Sequence, residues 1–182
     1  DGMGDFLSTM WATGKGNQLH VSGSVSFPHS LGIFYTAVTQ WLGFPKYGDE
    51  GKVMGLAPYG EPVHLDELRR LISLDGPLFE LNLDYFVHQV EGVDMTWEDE
   101  TPAIGTLYSP KLVKLLGPVR EKGAPLEKLH EDVAASLQKG LEEAYLHVIR
   151  TLHERTGSRA LCLAGGVALN AVANGRVRHE TP

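Results

Sequence analysis

The stretch of residues 160–174, ALCLAGGVALNAVAN, constrains the fold of this chain more than any other. A short apolar run leads into a glycine pair, and a segment of small, helix-compatible residues follows. This order predicts a buried strand at 160–163, a tight turn and the start of a helix. Such a turn presents backbone N–H groups at a helix N-terminus, where the helix dipole favours an anion. We therefore predict a phosphate or nucleotide site at Gly165 and Gly166, with Asn170 about one turn further on; an ordinary chain reversal is the alternative.

Composition excludes several classes of protein. The chain has 182 residues and a formal net charge of −7, without a Lys/Arg block, so we expect no nucleic-acid partner. No apolar run approaches the roughly 18 residues of a membrane span, so we expect no membrane partner. Cys162 is the single cysteine, which excludes an internal disulfide and is compatible with a cytoplasmic protein. Because its neighbours are apolar, we expect Cys162 to be buried rather than nucleophilic.

Hydrophobic patterning predicts an α/β chain. We expect a hairpin of strands 6–13 and 18–27, with Leu19 and Val21 on its buried face. Helices are predicted over 31–42, 64–74 and 126–155, and a strand over 79–83. The glycine-rich residues 47–60 are predicted to form no long regular element, and residues 84–110 an irregular, partly acidic segment. The chain opens on Asp1 rather than Met, and nothing returns to the sheet after the last helix, so we expect an internal fragment of a longer protein.

Three further sites are candidates for ligand binding. The opening turn of Asp1, Gly2 and Gly4 is either a hairpin entry or a second phosphate loop. Lys52 is the only cation within residues 47–60 and is either a phosphate-binding point charge or a solvated loop lysine. Arg120 has the forked donors that bind phosphate or carboxylate, although a surface arginine is the alternative. His130, His147 and His153 lack the i, i+4 spacing of a helical metal pair.

Three stretches together show a family resemblance: SLGIFY with Thr39 and LGF at residues 30–44, KVMGLAPYG at 52–60, and LAGGVALN with NGR at 163–176. A fourth, H-x-DVAASLQ, begins at His130. In this order they resemble the O-carbamoyltransferases of nodulation-factor and antibiotic biosynthesis, over nearly the whole chain. The resemblance implies an actin-like ATPase domain of ribonuclease-H-like type, with a mixed sheet and flanking helices. It places residues 1–182 within one such domain, with an irregular insertion at about 61–125.

The resemblance also implies a reaction. A separate domain makes carbamoyl-adenylate from ATP and carbamoyl phosphate, and the actin-like domain transfers the carbamoyl group to a hydroxyl of a small-molecule acceptor beside a divalent metal ion, iron or a similar one. Gly165, Gly166 and Asn170 match the nucleotide turn of the family, Lys52 its glycine-rich block, and Asp1, Gly2 and Gly4 its opening turn. Arg120 and His130 match family positions of unassigned role, which makes them candidates for contact with substrate or phosphate.

The chain departs from the family pattern in what it lacks. The histidine motif that binds the metal precedes the Asp-Gly-x-Gly turn, and the aspartate that completes the metal site follows Asn170 by some tens of residues. We therefore expect no metal ligand within the chain, missing flanking domains, and little catalysis from residues 1–182 alone. Two other functions stay open: a small-molecule kinase with an actin-like fold, and a non-catalytic nucleotide-binding or scaffold module.

Overall fold

Two antiparallel strands begin the fold. The computed structural model describes residue 2 and residues 4–76, 78–98 and 101–182. Strand β1 (Leu7–Lys15) pairs with β2 (Gln18–Ser26) as the predicted hairpin, with register shifts near Leu7 and Trp11. The predicted burial is wrong for part of it, because Leu19 is 79% and Val21 53% exposed. The hairpin packs on the core through Val25 and Trp11.

Two helices form the centre of the core, as predicted. Helix α1 (Leu31–Trp41) begins at Ser30, whose Oγ accepts from the Ile33 N–H at 3.1 Å, and it buries Phe34, Val38 and Trp41 completely. Helix α6 (Lys128–Thr156) ends at Gly157, and its apolar stripe includes Val133, Leu137 and Leu141, all buried. Burying these apolar side chains against each other is the main favourable contribution to folding.

The glycine-rich segment 47–60 is more regular than predicted. Helix α2 (Glu50–Leu56) runs directly into a 3₁₀ turn (Ala57–Tyr59). Its glycines at 51 and 55 lie on exposed positions, whereas Val53 and Leu56 are buried. Burial of these two side chains therefore holds a helix whose composition disfavours one. The Glu61 N–H then donates to the carboxylate of Asp132 at 2.7 Å, which joins the end of the segment to α6.

The middle of the chain forms short elements: α3 (Leu65–Arg69), β3 (Ile72–Ser73), β4 (Glu80–Leu81), a 3₁₀ turn (Leu83–Tyr85), α4 (His88–Glu91), β5 (Met95–Glu98), β6 (Thr101–Ile104) and α5 (Pro110–Leu116). The predicted helix over 64–74 is shorter because the chain turns into β3. Residues 84–110, predicted as irregular, include the β5–β6 hairpin. Leu68, Phe86, Leu107 and Leu112 are almost fully buried, so this region shares the core of α1 and α6.

The last segment corrects the prediction of a buried strand at 160–163. These residues belong to no strand, and Leu161 and Leu163 are 39% and 42% exposed. Cys162 is exposed as well, contrary to expectation. A strand needs a neighbour for its backbone hydrogen bonds, and the described strands form three separate two-stranded antiparallel sheets rather than one mixed sheet. A 3₁₀ turn (Val167–Leu169) and helix α7 (Ala171–Glu180) follow.

The mixture of helices and strands agrees with the predicted α/β class. Within the described ranges, no helix combines the length and the hydropathy required to cross a bilayer.

Candidate functional site

The glycine pair forms the tight helix entry that the sequence predicts. Gly165 has a φ of +102°, which side-chain-bearing residues rarely adopt, so this turn requires glycine. The Ala168 N–H donates to the Gly165 carbonyl and the Leu169 N–H to the Gly166 carbonyl, each at 3.1 Å. Both glycines are exposed. The turn therefore presents its backbone to solvent ahead of the 3₁₀ turn that leads into α7, as an anion-binding turn must.

Asn170 is the N-cap of α7 rather than a group that points outwards. Its Oδ1 accepts from the Ala173 N–H at 2.9 Å, and the residue is buried, with 9% exposure. One turn later, the Nδ2 of Asn174 donates to the Ala168 carbonyl at 2.7 Å. These two amides tie the 3₁₀ turn to the first turn of the helix, so the backbone after Gly166 is held from both sides.

A second amide, which the sequence analysis did not single out, supports Asn170. Gln138 of α6 donates through Nε2 to the Oδ1 of Asn170 at 3.0 Å, and the Nδ2 of Asn170 donates back to the Gln138 Oε1 at 2.9 Å. The Gln138 Oε1 also accepts from the Tyr35 hydroxyl at 3.1 Å, and its Nε2 donates to Glu142 at 2.9 Å. Gln138 belongs to the DVAASLQ motif, which was its one signal in the sequence.

Charged groups surround this amide pair. The Glu142 carboxylate also accepts from the guanidinium of Arg176, which in turn donates to Glu180 at 2.5 and 2.6 Å. Burial raises the pKa of the Tyr35 hydroxyl well above its usual value, and the carboxylates of Glu50 and Glu142 raise it further. Tyr35 therefore stays protonated and serves as a hydrogen-bond donor across the physiological pH range.

Lys52 lies on α2 and forms an ion pair there. Its Nζ is 2.6 Å from Oδ1 of Asp49, and the lysine side chain is 61% exposed, whereas that of Asp49 is 8% exposed. The second oxygen of Asp49 accepts from the Lys46 N–H at 3.0 Å. The Lys52 Nζ is also 6.0 Å from the centroid of the Phe44 ring. The ammonium is thus accessible to a solvent-borne anion while one carboxylate already neutralises it in part.

Arg120 directs its guanidinium into the protein. Nη1 donates to the Leu42 carbonyl at 2.9 Å, Nη2 donates to the Ala124 carbonyl, and Nε donates to the Pro125 carbonyl at 3.4 Å. Its Cζ is 5.1 Å from the centroid of the Phe44 ring. Arg120 therefore joins the chain before α6 to the end of α1, and these backbone contacts compete with any anion for its donors.

His130 completes a reciprocal cap at the start of α6. Its Nδ1 accepts from the Glu127 N–H at 2.9 Å, while the Glu127 side chain accepts from the backbone N–H of His130. The imidazole is 6.1 Å from the Trp41 ring. Burial lowers the pKa of His130, the positive charge of Arg120 lowers it further, and the Glu127 carboxylate opposes both. Since Nδ1 accepts, the ring is neutral in this cap.

The predicted residues therefore fall into separate groups. Gly165, Gly166 and Asn170 share one turn, whereas Lys52 and Arg120 meet at Phe44. Within the described ranges, no hydrogen bond or ion pair joins the two groups directly. In the opening turn, the Gly4 N–H donates to the Leu7 carbonyl at 2.7 Å and Gly2 is half-buried. Asp1, also predicted to bind phosphate, lies outside the described residues.

Across the described residues, no group of three or more His, Cys, Asp or Glu side chains is arranged to hold a metal ion.

Comparison with known proteins identifies the family. The sequence matches the family profile described as "Carbamoyltransferase N-terminus" over residues 1–182. It is 42% identical over 184 residues to a protein of Synechocystis sp. described as uncharacterized, covering 99% of this chain and 28% of the relative. It is 40% identical to the nodulation protein NolO of Bradyrhizobium diazoefficiens, covering 99% of this chain and 29% of NolO.

The nodulation protein NolNO of Sinorhizobium fredii is 37% identical, with coverage of 97% of this chain and 23% of the relative. The chain thus spans less than a third of the length of each of these relatives. The profile match extends over every residue, and it includes the Gly165–Gly166 turn and the motif that carries Gln138. The chain therefore belongs to the carbamoyltransferase N-terminus family.

Proposed function

We propose that this chain supplies the nucleotide-binding part of an O-carbamoyltransferase that consumes ATP and carbamoyl phosphate. The observation that carries the proposal is the exposed turn at Gly165 and Gly166, which enters α7 and is braced by Asn170. The family match over the whole chain supports carbamoyl transfer in general. In the proposal, residues 1–182 are an internal part of an actin-like ATPase domain, and flanking parts of the longer protein complete its mixed sheet.

In the proposed site, the turn binds the phosphate of carbamoyl-adenylate. Transfer forms a bond between the acceptor oxygen and the carbamoyl carbon, and it breaks the bond from that carbon to a phosphate oxygen of AMP. The acceptor hydroxyl releases its proton to water, and AMP leaves. Backbone N–H groups and a helix N-terminus stabilise the charge that develops on this leaving phosphate. Lys52, whose side chain is 61% exposed, is assigned as a further positive charge for the phosphate. The small-molecule acceptor supplies the hydroxyl.

The proposal includes a divalent metal ion, but it places none of the metal's ligands in this chain. The described residues do not fit a metal ion, because they contain no cluster of candidate ligands. We therefore derive no step through it and assign its ligands to other parts of the longer protein.

The experiment substitutes Gly166 in the full-length protein. Gly166 has φ −59° and ψ −43°, which valine tolerates, so Gly166→Val places a branched side chain at the turn without straining the backbone. We expect loss of ATP binding by calorimetry and loss of carbamoyl transfer, with an unchanged circular dichroism spectrum. Gly175→Val is the matched control, because a Cβ at Gly175 meets nothing within 4 Å.

Three outcomes would contradict the proposal. If Gly166→Val retains the wild-type affinity for ATP, the turn is not part of the nucleotide site. Phosphorylation of the acceptor without any requirement for carbamoyl phosphate indicates a kinase. A wild-type protein that binds no nucleotide indicates a binding or scaffold module that carries no such chemistry.

A further inference from the structure

A buried amide pair joins the middle of α6 to the start of α7. We propose that Gln138 is a positioning residue for the nucleotide turn: through its paired hydrogen bonds to Asn170 it fixes the orientation of Gly165 and Gly166. This inference rests on the function proposed above and deepens it. Gln138 itself does not touch the turn's glycines, and it acts through Asn170.

The hydrogen bonds of the pair leave no alternative orientation. The Oδ1 of Asn170 accepts from both Gln138 and the Ala173 N–H, while its Nδ2 donates to Gln138. The Oε1 of Gln138 accepts from Tyr35, and its Nε2 donates to Glu142. Flipping either amide would place donor against donor and acceptor against acceptor. With 4% exposure for Gln138 and 9% for Asn170, water is a poor substitute.

The two helices differ in how firmly the core holds them. Around Gln138, helix α6 buries a long apolar stripe that includes Leu137 and Leu141. In α7, Ala173 is the buried residue. Ala173 and Val177 pack against Tyr145 and Ile149 of α6, and the amide pair adds the polar contact at the N-cap of α7, next to the turn. A rigid partner on α6 thus defines where the start of α7, and the turn before it, can lie.

The test is Gln138→Glu in the full-length protein, with ATP as the probe. The new carboxyl keeps the Oε1 acceptor but replaces the donor Nε2 with oxygen. When ionised, it opposes the Oδ1 of Asn170 and the carboxylate of Glu142, and when protonated it donates again. The other titratable or charged groups facing this position are Tyr35 of α1, Glu50 of α2 and Arg176 of α7.

We expect the Kd and KM for ATP to rise about tenfold at pH 8, the size of one lost buried hydrogen bond. At pH 6 both should return toward the wild-type values measured at the same pH, and kcat should change less than KM. A loss caused by the size or shape of the new side chain, rather than by the missing donor, would not be restored by acid. The matched control is Tyr145→Phe, which removes another α6–α7 hydrogen bond, from Tyr145 to Asn174 at 2.8 Å, and leaves Asn170 untouched.

The control separates the possible results. An affinity for ATP that is unchanged in Gln138→Glu overturns the inference, as does an equal, pH-independent loss in Gln138→Glu and Tyr145→Phe. Should Gln138→Glu fail to fold at pH 8, Gln138→Met replaces it, and wild-type affinity in that variant overturns the inference too.

Hydrogen exchange separates this inference from the proposed function. Amides of residues 165–170 should exchange faster in Gln138→Glu than in wild type at pH 8, and equal exchange overturns the positioning role. If the wild-type protein binds no ATP, the proposed function fails, whereas the exchange result still shows whether Gln138 fixes the turn.

Discussion

Gly60 and Glu131 meet backbone to backbone, where the 3₁₀ turn after α2 lies against the start of α6. A Cβ on Gly60 would lie 2.0 Å from the carbonyl oxygen of Glu131 and 2.2 Å from its carbonyl carbon. Neither atom can move without displacing α6. The last glycine of the KVMGLAPYG motif is therefore required by the packing of two backbones.

Replacing this glycine should destabilise the protein. We expect Gly60→Ala to lower the free energy of unfolding by about 2–3 kcal/mol, because the added methyl group forces the turn away from α6. Chemical denaturation of the full-length protein measures the change. Gly55→Ala, in the same motif but with open space around its Cβ, should be neutral or stabilising by up to ~1 kcal/mol. Equal effects of the two substitutions would contradict the packing argument.

Substitutions at Asn170 should separate its two structural contributions. Asn170→Ala removes both the helix cap and the partner of Gln138, and we expect a loss of about 2–3 kcal/mol. Asn170→Ser keeps an oxygen that accepts from the start of α7, so its loss should be smaller by about 1 kcal/mol. Thermal unfolding followed by circular dichroism ranks the variants. A serine variant as unstable as the alanine variant would show that the cap contributes little.

His130 should make stability depend on pH. Its pKa is lowered in the fold from the usual 6.5, so the unfolded chain binds the proton more tightly. The stabilisation is therefore complete above pH 6.5 and declines as the pH falls below it toward the pKa of the folded state. Protonation of Nδ1 also removes the acceptor for the Glu127 N–H. We expect part of the loss of unfolding free energy between pH 7 and pH 5 to come from this residue.

The matched variant for that experiment is His130→Gln. Glutamine at this position of a capping box retains an acceptor but does not titrate. Its unfolding free energy should fall less between pH 7 and pH 5 than that of the wild type. The pKa of His88 is also lowered, mainly by burial, but His88 is present in both proteins and contributes equally to both. Identical pH profiles would exclude His130 as the titrating group.

Substitution of Lys52 should affect mainly the binding of ATP, whereas substitution of Arg120 should affect mainly the stability of the protein. Lys52→Met removes an exposed ion pair and should change stability by less than about 1 kcal/mol, while in the proposed function it weakens binding of ATP. Arg120→Lys loses the fork that reaches the carbonyls of Leu42 and Ala124, and should lower stability by about 1–3 kcal/mol. Parallel titrations of ligand and denaturant measure both. A stability loss in Lys52→Met larger than that in Arg120→Lys would reverse this assignment.

The sequence predicts correctly those helices whose start, buried face and end are determined by residues close together in the chain. The cap at Ser30, the stripe of α6 and the glycine at Gly157 are each determined by neighbouring residues, and the structure confirms them. The prediction of a strand at 160–163 is wrong because a strand needs a neighbouring strand to accept and donate its backbone hydrogen bonds, and the local sequence does not show whether one is present. Segment 47–60 is more regular than its glycine content indicates. Its glycines at 51 and 55 lie on the exposed side of α2, whereas the buried Val53 and Leu56 on the other side hold the helix.

The candidate site was predicted only in part, for a similar reason. A pair of glycines predicts a turn, and the structure has that turn at Gly165 and Gly166. Gln138 is a polar residue on an amphipathic helix, a position usually assigned to solvent. Its burial depends on α1 and α7, which approach it from distant parts of the sequence, with Tyr35 103 residues away and Asn170 32 residues away.

The outward face of the β1–β2 hairpin affects how the protein can be handled. Met10, Leu19 and Val21 are 59%, 79% and 53% exposed there. Contiguous apolar side chains of this kind attract one another and other apolar surfaces. We expect recombinant residues 1–182 to bind a hydrophobic-interaction column strongly and to scatter light increasingly with concentration. Solubilising substitutions for crystallisation, such as Leu19→Lys, are best placed on this face, far in sequence from the turn before α7.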